Sequence, residues 1–204
     1  IELGGEQVIG RSERELRPLR GTRAALVFQE PQSALNPSQR IWRQILQVLR
    51  AHRRVGRADG RRRAIELLTL VGIPAAEQRI DSYPHQLSGG MRQRVALARA
   101  LAQDRPLLLM DEPFAALDAI TRDLLDGELE RVWRQTGRTV VFVTHNVAEA
   151  VRLGQRVLLL SSRPGHVVAE WDVPAAARHD APAAAALTAA ITARLGQEIR
   201  RHAH

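Results

Sequence analysis

The amino-acid sequence predicts an α/β fold, a mostly parallel sheet with an inserted helical subdomain. Short apolar runs typical of buried strands alternate with stretches whose apolar residues recur at helical spacing. This alternation favours parallel strands that are joined by crossover helices. Two consecutive helical patterns interrupt it, so residues 35–87 form the predicted subdomain within a single domain over residues 1–204.

Composition limits the classes of function. At 204 residues and 45% hydrophobic content, the chain can bury one good core. It has no cysteine, which excludes disulfides and thiolate metal sites. No apolar run reaches the roughly 18–20 residues that span a bilayer. The net charge of +8 comes from scattered arginines with only 3% aromatic residues, so we expect no nucleic-acid partner.

The first half of the chain predicts one clear strand and two helices. The compact apolar run Ala24–Phe28 indicates a strand. Apolar residues at helical spacing predict helices over Ile41–His52 and Asp59–Val71, the second of which ends at Gly72. Before them lie only four candidate edge-strand positions: Ile1, Leu3, Val8 and Ile9.

The second half alternates strands with helices. The tail over residues 175–204 is rich in alanine and carries an apolar residue at every fourth position, which predicts an amphipathic helix packed on the domain. The predicted strands are Leu107–Met110, Thr139–Thr144, Arg156–Ser161 and Val167–Val173, and the predicted helices are Ala119–Gln135, Val147–Leu153 and Ala181–Arg201, with Leu187, Ile191, Leu195 and Ile199 as the apolar stripe.

A glycine-marked loop opens another helix at residue 88. Ser88 is a residue type that caps helices, and Gly89 and Gly90 follow it. A helix start without bulky side chains can bind an anion, because its free N–H groups and the positive end of the helix dipole can contact phosphate oxygens. The stretch therefore predicts a phosphate site.

Two adjacent carboxylates, Asp111 and Glu112, follow the strand Leu107–Met110. They lie at the sheet edge where open α/β sheets bind ligands. One carboxylate can hold a metal ion while the other polarises a water, as phosphoryl transfer requires. Asp118 follows shortly, and His145 ends the next strand, so parallel pairing would place His145 at the same edge. The sequence thus predicts a nucleoside triphosphate with a divalent metal.

Taken together, the motifs resemble those of the nucleotide-binding subunit of ABC transporters, which has a P-loop NTPase-like fold. The order and spacing match over nearly the whole chain. The resembling segments are Gln29 (the Q-loop), Leu87–Gly90 (the signature motif), Leu107–Glu112 (the Walker B strand), Ala116–Asp118 (the D-loop) and His145 (the switch histidine).

The resemblance implies ATP and Mg²⁺ as cofactors and assigns roles to single residues. Asp111 and Gln29 would bind the metal, Glu112 would be the general base, and His145 would contact the γ-phosphate. Ser88, Gly89 and Gly90 would contact the γ-phosphate of the ATP that a second subunit mainly holds, in a head-to-tail dimer. Gln29 and Asp118 are also implied to take part in cofactor binding.

By the same resemblance, the chain would be an ATP-hydrolysing importer subunit that lies peripherally on the cytoplasmic face of the cell membrane. Its partners would be permease subunits, a second nucleotide-binding subunit in a homodimer or heterodimer, and a solute-binding protein. The first half of the chain resembles dipeptide, oligopeptide and nickel importers, and the second half resembles nitrate, sulfonate and taurine importers. Soluble ABC ATPases of DNA repair or translation are disfavoured, because they usually carry long coiled coils or tandem cassettes.

The phosphate loop of this family, G-x-x-x-x-G-K-[ST], has no match, because the chain contains no lysine. Gly5–Ser12 fits only with Arg11 in place of lysine, and we reject it because a buried strand does not precede it and an arginine fork replaces a compact ammonium poorly. We expect an N-terminally truncated chain that is inactive alone. The alternative is a non-catalytic partner that donates only its signature motif.

We predict that the coding DNA upstream of Ile1 contains an in-frame G-x-x-x-x-G-K-[ST] preceded by an apolar strand. Sequencing that DNA tests the prediction. A genuine start codon at or near Ile1 would contradict it and would favour the non-catalytic alternative.

Overall fold

A computed structural model describes residues 2–3, 5–16, 23–28, 35–52, 54–162 and 165–202. The chain divides into two compact units, residues 1–143 and residues 144–204, and each is described by itself. The prediction of one domain over residues 1–204 stays a prediction.

The first unit holds five strands and six α-helices among the described residues. The strands are β1 (Glu2–Leu3), β2 (Glu6–Gln7), β3 (Ala24–Val27), β4 (Leu107–Asp111) and β5 (Thr139–Val143). The helices are α1 (Glu13–Leu16), α2 (Ile41–His52), α3 (Arg57–Leu70), α4 (Ala76–Arg79), α5 (Gly89–Ala102) and α6 (Ala119–Thr136), with a 3₁₀ turn at Pro84–Gln86.

A parallel sheet of β3, β4 and β5 forms the centre of this unit, and β4 is its middle strand. Val27 pairs with Met110, and Asp111 pairs with Val143. The predicted parallel sheet is therefore confirmed. The first two strands instead form a short antiparallel hairpin. The prediction that Val8 and Ile9 occupy an edge strand was wrong, because the chain turns there after β2.

One face of this sheet is buried and the other is open among the described residues. Helix α5 packs against β3 on the buried face, where Leu108 and Met110 of β4 are each 2% exposed. On the opposite face Val141 and Val143 keep 48% and 49% of their surface exposed. Parallel sheets usually have both faces covered by helices. In the described residues, this second face of the sheet is apolar and uncovered.

The predicted helical subdomain contains α2, α3 and α4. Helices α2 and α3 pack on each other and on α5. The bounds of α2 agree with the prediction, while α3 begins two residues earlier than predicted, at Arg57. The buried Gln44 amide fixes the loop before α2, because its Nε2 donates to the carbonyls of Asn36 and Gln39 at 2.9 Å each.

Two arginines join the C-terminal end of α3 to the helices beside it. The guanidinium of Arg94, on α5, donates to the carbonyl of Gly72 at 2.5 Å. The guanidinium of Arg131, on α6, donates to the carbonyl of Leu70 at 2.5 Å and to the Glu128 carboxylate at 2.6 Å. Cations are favourable at a helix C-terminus, where carbonyls lack helical partners. These bonds fix the subdomain against α5 and α6.

The second unit contains α7 (Val147–Leu153), β6 (Arg156–Leu160), β7 (Val167–Asp172), α8 (Ala175–His179) and α9 (Ala181–His202). The two strands pair antiparallel, whereas the alternation of elements predicts a largely parallel arrangement. They pair this way because a short connection returns the chain directly alongside β6. Apolar residues of β6, α7 and α9 form one core with the residue that follows β7: Val151, Val157, Val173 and Ile191.

The C-terminal helix follows its predicted pattern for part of its length. Ile191 is 2% exposed in the core of the second unit, and Leu187 packs against that core. Ile199 is 61% exposed, so the predicted stripe is not buried to its end. Among the residues that the structure describes, no helix is both long and apolar enough to cross a bilayer.

We predict that Gly72→Ala destabilises the protein by about 1–3 kcal/mol. Gly72 has a φ of +72°, and an added Cβ would lie 2.9 Å from the Glu128 carboxyl carbon. The left-handed backbone alone costs an alanine about 1–2 kcal/mol. Urea denaturation followed by circular dichroism measures the change.

The matched control is Gly127→Ala. Gly127 lies inside α6, and an added Cβ would meet no heavy atom within 4 Å. Alanine should therefore stabilise the helix there by about 0.5–1 kcal/mol. Equal effects of the two substitutions would contradict this account of Gly72.

Candidate functional site

The start of α5 has the predicted form of a capped helix. Ser88 lies before the helix in extended conformation, and its Oγ accepts a hydrogen bond from Met91 N at 3.3 Å. The first helical backbone bond runs from Arg92 N to Ser88 O at 2.9 Å. Earlier N–H groups of a helix have no helical partner. The turn at Gly89 and Gly90 thus has the backbone geometry that suits an anion.

The two glycines of this turn have different surroundings. A Cβ at Gly89 would meet only Leu117 Cδ2, at 4.0 Å, whereas a Cβ at Gly90 would lie 2.7 Å from Thr121 Cγ2. The position of Gly90 therefore requires a residue without a side chain, because the first turn of α6 packs against it. Gly89 faces more open space, which leaves room for a ligand at this helix start.

Asp118 caps α6 beside this turn. Its carboxylate accepts hydrogen bonds from Thr121 N at 2.9 Å and from Thr121 Oγ1 at 2.7 Å. The backbone hydrogen bond from Thr121, followed by its hydroxyl bond, holds the pKa of Asp118 below its usual range. The structure thus places the start of α5, at Gly89 and Gly90, beside the start of α6, which Asp118 caps.

Asp111 and Glu112 lie at the carboxyl end of the central strand. Asp111 is the last residue of β4 and is exposed, while Glu112 is half-buried. The N–H of Glu112 donates to the carbonyl of Val143 at 2.9 Å, and its φ is +41°. A positive φ is uncommon for a residue other than glycine. Such conformations cluster at functional sites, so the chain leaves the strand at Glu112 with an unusual backbone conformation.

The residues at this edge fit a metal that is bound mainly by a ligand. Among the described residues, no three His, Cys, Asp or Glu side chains gather into a metal cluster. Mg²⁺ is usually held by one or two carboxylates, with waters and substrate phosphates completing its shell. The exposed carboxylate of Asp111 at a strand end is a suitable donor of that kind. The site therefore suits Mg²⁺ bound together with a nucleotide.

His145 follows β5 and belongs to the second unit, where it is exposed. Its neighbours are firmly held. Asn146 caps α7 by accepting from Ala148 N at 3.0 Å, and the Thr144 hydroxyl donates to the buried Glu149 carboxylate. The prediction that His145 and Glu112 lie at the same sheet edge stays a prediction. The predicted metal ligand Gln29 lies outside the described residues.

Sequence reasoning missed the bond between Thr144 and Glu149. A signal for it exists, because Asn146 with a glutamate three residues later is the signature of a capping box. In the structure the glutamate bonds to the Thr144 hydroxyl, while Asn146 N also donates to that hydroxyl, at 3.0 Å. The loop that carries His145 is thereby fixed from both sides.

The segment from Gly5 to Ser12 is not a phosphate loop. It forms the second strand of the antiparallel hairpin and a turn that leads into the four-residue helix α1. The N–H and the hydroxyl of Ser12 donate to the Glu15 carboxylate at 2.8 and 2.6 Å. A phosphate at this position would meet that negative charge, in agreement with our rejection of the segment.

Comparisons with known proteins agree with this geometry. A sequence profile of the ABC transporter family matches residues 2–115, more than half of the chain. The chain belongs to the ABC transporter family. Relatives from both predicted importer groups are found, which confirms the double resemblance.

Two of these relatives represent the two groups. The oligopeptide transport ATP-binding protein OppD of Bacillus subtilis is 36% identical over 160 residues, which are 78% of this chain and 45% of OppD. The taurine import ATP-binding protein TauB of Rhizobium johnstonii is 49% identical over 119 residues, 58% of this chain and 44% of TauB. The chain thus spans about half the length of the curated relatives it matches.

Solved ABC cassettes share the fold. The ATP-binding cassette MJ0796, in a dimeric post-hydrolysis state bound to ADP and Pi, is similar with a TM-score of 0.69 and 31% identity. The match covers 84% of this chain and 72% of that chain. A second dimeric structure of MJ0796 has a TM-score of 0.67 and 33% identity. The predicted P-loop NTPase-like fold is therefore confirmed for this ABC family member.

We predict that Gly90→Ala destabilises the protein by about 1–3 kcal/mol, the usual cost of overpacking. The clash arises with Thr121 Cγ2 at 2.7 Å. Thr121→Ser removes this methyl group and keeps the hydroxyl that bonds to Asp118, so the double variant should recover most of the loss. Urea denaturation of all four proteins gives the coupling free energy, and strictly additive effects would contradict the packing of Gly90 against α6.

Proposed function

We propose that this chain is the ATP-binding and ATP-hydrolysing part of an ABC importer subunit, which couples hydrolysis at a dimer interface to solute transport by a partner permease. The single observation that carries the proposal is the carboxylate pair at the end of β4. Asp111 ends the central strand, and Glu112 leaves it with a φ of +41°. Membership of the ABC family supports the reading of this pair as a nucleotide site.

In this proposal the two carboxylates divide the chemistry. Asp111 is exposed and would hold Mg²⁺, and the metal would neutralise charge on the phosphate oxygens. Glu112 is half-buried and accepts a proton from the attacking water. Different backbone directions let each carboxylate keep one task. From the family resemblance alone we further propose that His145 acts on the γ-phosphate and that Gln29 senses the metal and links ATP hydrolysis to the permease.

The glycine turn serves a second ATP. Backbone N–H groups at Ser88, Gly89 and Gly90 contact the γ-phosphate of a nucleotide that the other subunit mainly holds, and Asp118 positions the start of α6 beside them. The open space at Gly89, where the nearest heavy atom to an added Cβ is 4.0 Å away, supports approach of a ligand from outside the chain. The dimeric, ADP-bound MJ0796 structure supports a paired arrangement.

The importer assignment follows the names of relatives that serve oligopeptide transport and taurine import. On this basis we propose permease subunits, a second nucleotide-binding subunit and a solute-binding protein as partners, with the chain at the cytoplasmic face of the cell membrane. The helical subdomain, fixed to α5 and α6 by Arg94 and Arg131, would transmit changes at the nucleotide to the permease.

A second candidate is a non-catalytic subunit or inactive fragment that contributes only its glycine turn to a competent neighbour. The chain contains no lysine for a phosphate loop, and the side chain of Ser12, in the nearest sequence match, is bonded to Glu15. Turnover by the protein from the complete open reading frame separates the two candidates. Active protein favours the first, and protein without turnover favours the second.

We predict that Glu112→Gln, made in the protein expressed from the complete open reading frame, lowers ATP turnover at least 100-fold. General base catalysis typically contributes about 10²–10⁴-fold. Because the substitution keeps the shape of the side chain, ATP-dependent dimerisation should persist. Phosphate release and light scattering measure the two effects.

The matched control is Glu77→Gln, because Glu77 is an exposed carboxylate on α4. Its turnover should stay within twofold of the unsubstituted protein. If Glu112→Gln hydrolyses ATP as fast as the control, Glu112 is not the base.

A further inference from the structure

A cluster of arginines in the helical subdomain surrounds a cavity that the proposed ATPase mechanism does not use. The cavity has a volume of about 470 Å³. We call it the basic pocket and define it by six lining residues: Arg40, Arg43, Arg57, Arg61, Trp42 and Asp81.

Three guanidinium groups converge on one indole ring. Trp42, in the first turn of α2, is only 5% exposed. The guanidinium carbons of Arg43, Arg57 and Arg61 lie 5.8, 5.1 and 5.8 Å from its ring centroid. Each cation is attracted by the ring quadrupole. The same attraction gathers three like charges around one side chain, which favours an anion between them.

One carboxylate offsets part of this charge. Asp81 pairs with Arg61 at 2.5 Å and with Arg40 at 3.3 Å. The hydrogen bond from Arg61 is the main cause that holds the pKa of Asp81 below its usual range, so Asp81 remains ionised at neutral pH. Within the parts of the chain that the structure describes, Arg43 and Arg57 have no carboxylate partner. The pocket therefore carries an excess of positive charge.

Guanidinium groups, not the helix start, supply the donors of this pocket. The N–H groups of Ile41 and Trp42 already donate to the carbonyls of Ser82 at 2.9 Å and Ile80 at 3.2 Å. Arg40 also lies against Tyr83, with its guanidinium carbon 5.7 Å from the ring centroid. The donors that remain are planar forks on three different segments of the subdomain.

We propose that the basic pocket is a binding site for a phosphate-bearing anion, separate from the nucleotide site. A guanidinium fork matches two phosphate oxygens at once, and such charge-assisted pairs are stronger than neutral hydrogen bonds. Several forks around one cavity favour an anion with more than one negative charge, such as a diphosphate. The source is either a free phosphate compound or a phospholipid headgroup. The proposal does not depend on the proposed ATPase function.

The test uses the chain of residues 1–204 and inorganic pyrophosphate as the probe in titration calorimetry. We compare the unsubstituted chain with Arg43→Gln/Arg57→Gln. The charge-matched control is Arg14→Gln/Arg200→Gln, two exposed arginines outside the pocket. We expect the pocket variant to lose at least tenfold in affinity and the control to stay within twofold.

A vesicle arm distinguishes the two sources. The same three proteins are sedimented with phosphatidylglycerol vesicles and with phosphatidylcholine vesicles. If the pocket variant loses pyrophosphate binding and none of the three proteins sediments with vesicles, the ligand is a free phosphate compound. Binding to phosphatidylglycerol alone that is lost in the pocket variant indicates a headgroup. Both outcomes support the proposal.

A second variant keeps the proposal testable if the glutamines disturb folding, which circular dichroism reports. Arg43→Lys/Arg57→Lys keeps the charge and removes the forks, so its affinity for pyrophosphate should fall at least threefold. Three results would overturn the proposal: unchanged affinity in the pocket variants, equal losses in the control, or an unsubstituted chain that binds an acidic peptide but neither pyrophosphate nor phosphatidylglycerol.

Discussion

The pairing of β4 between two parallel neighbours is the constraint on which the candidate site depends. Leu108 and Met110 are buried on one face of the strand, so the register with β5 is fixed and Asp111 lies opposite Val143. The next N–H, that of Glu112, still bonds to the Val143 carbonyl at 2.9 Å while φ changes to +41°. One hydrogen bond thus ends the strand at the point where the backbone takes the positive φ that carries the second carboxylate.

Helix α5 connects this strand end to the rest of the first unit. Its buried face packs on the sheet, and its glycine start lies against α6 at Thr121, where Asp118 caps that helix. Arg94 on the same helix bonds to Gly72 at the end of α3. A change at the glycine start could therefore reach both α6 and the helical subdomain through direct contacts, which is the physical basis of the coupling that we propose.

The sequence predicted the elements that periodicity determines. The helices at Ile41–His52 and Val147–Leu153 and the parallel pairing of β4 follow from apolar spacing and strand alternation. The antiparallel pairing of β6 with β7 was missed although the sequence carried a signal for it, because the connection between the two predicted strands is too short for a parallel crossover. The positive φ of Glu112 and the approach of Thr121 to Gly90 arise from tertiary packing, so no local pattern carries them. The motifs of the site were visible from residue type and order, and their roles remain proposals.

The central claim is that Glu112 and Gly89 act on different ATP molecules in a dimer. Mixed dimers with two affinity tags, made from the complete open reading frame, test it most directly. Gly89→Asp places a negative charge at the glycine turn, where the structure has room for a side chain. A dimer of one Glu112→Gln subunit with one Gly89→Asp subunit should keep about half of the ATP turnover, and a dimer of one doubly substituted subunit with one unsubstituted subunit should have almost none. The reverse result would contradict the claim, because it would show that both residues serve the same nucleotide.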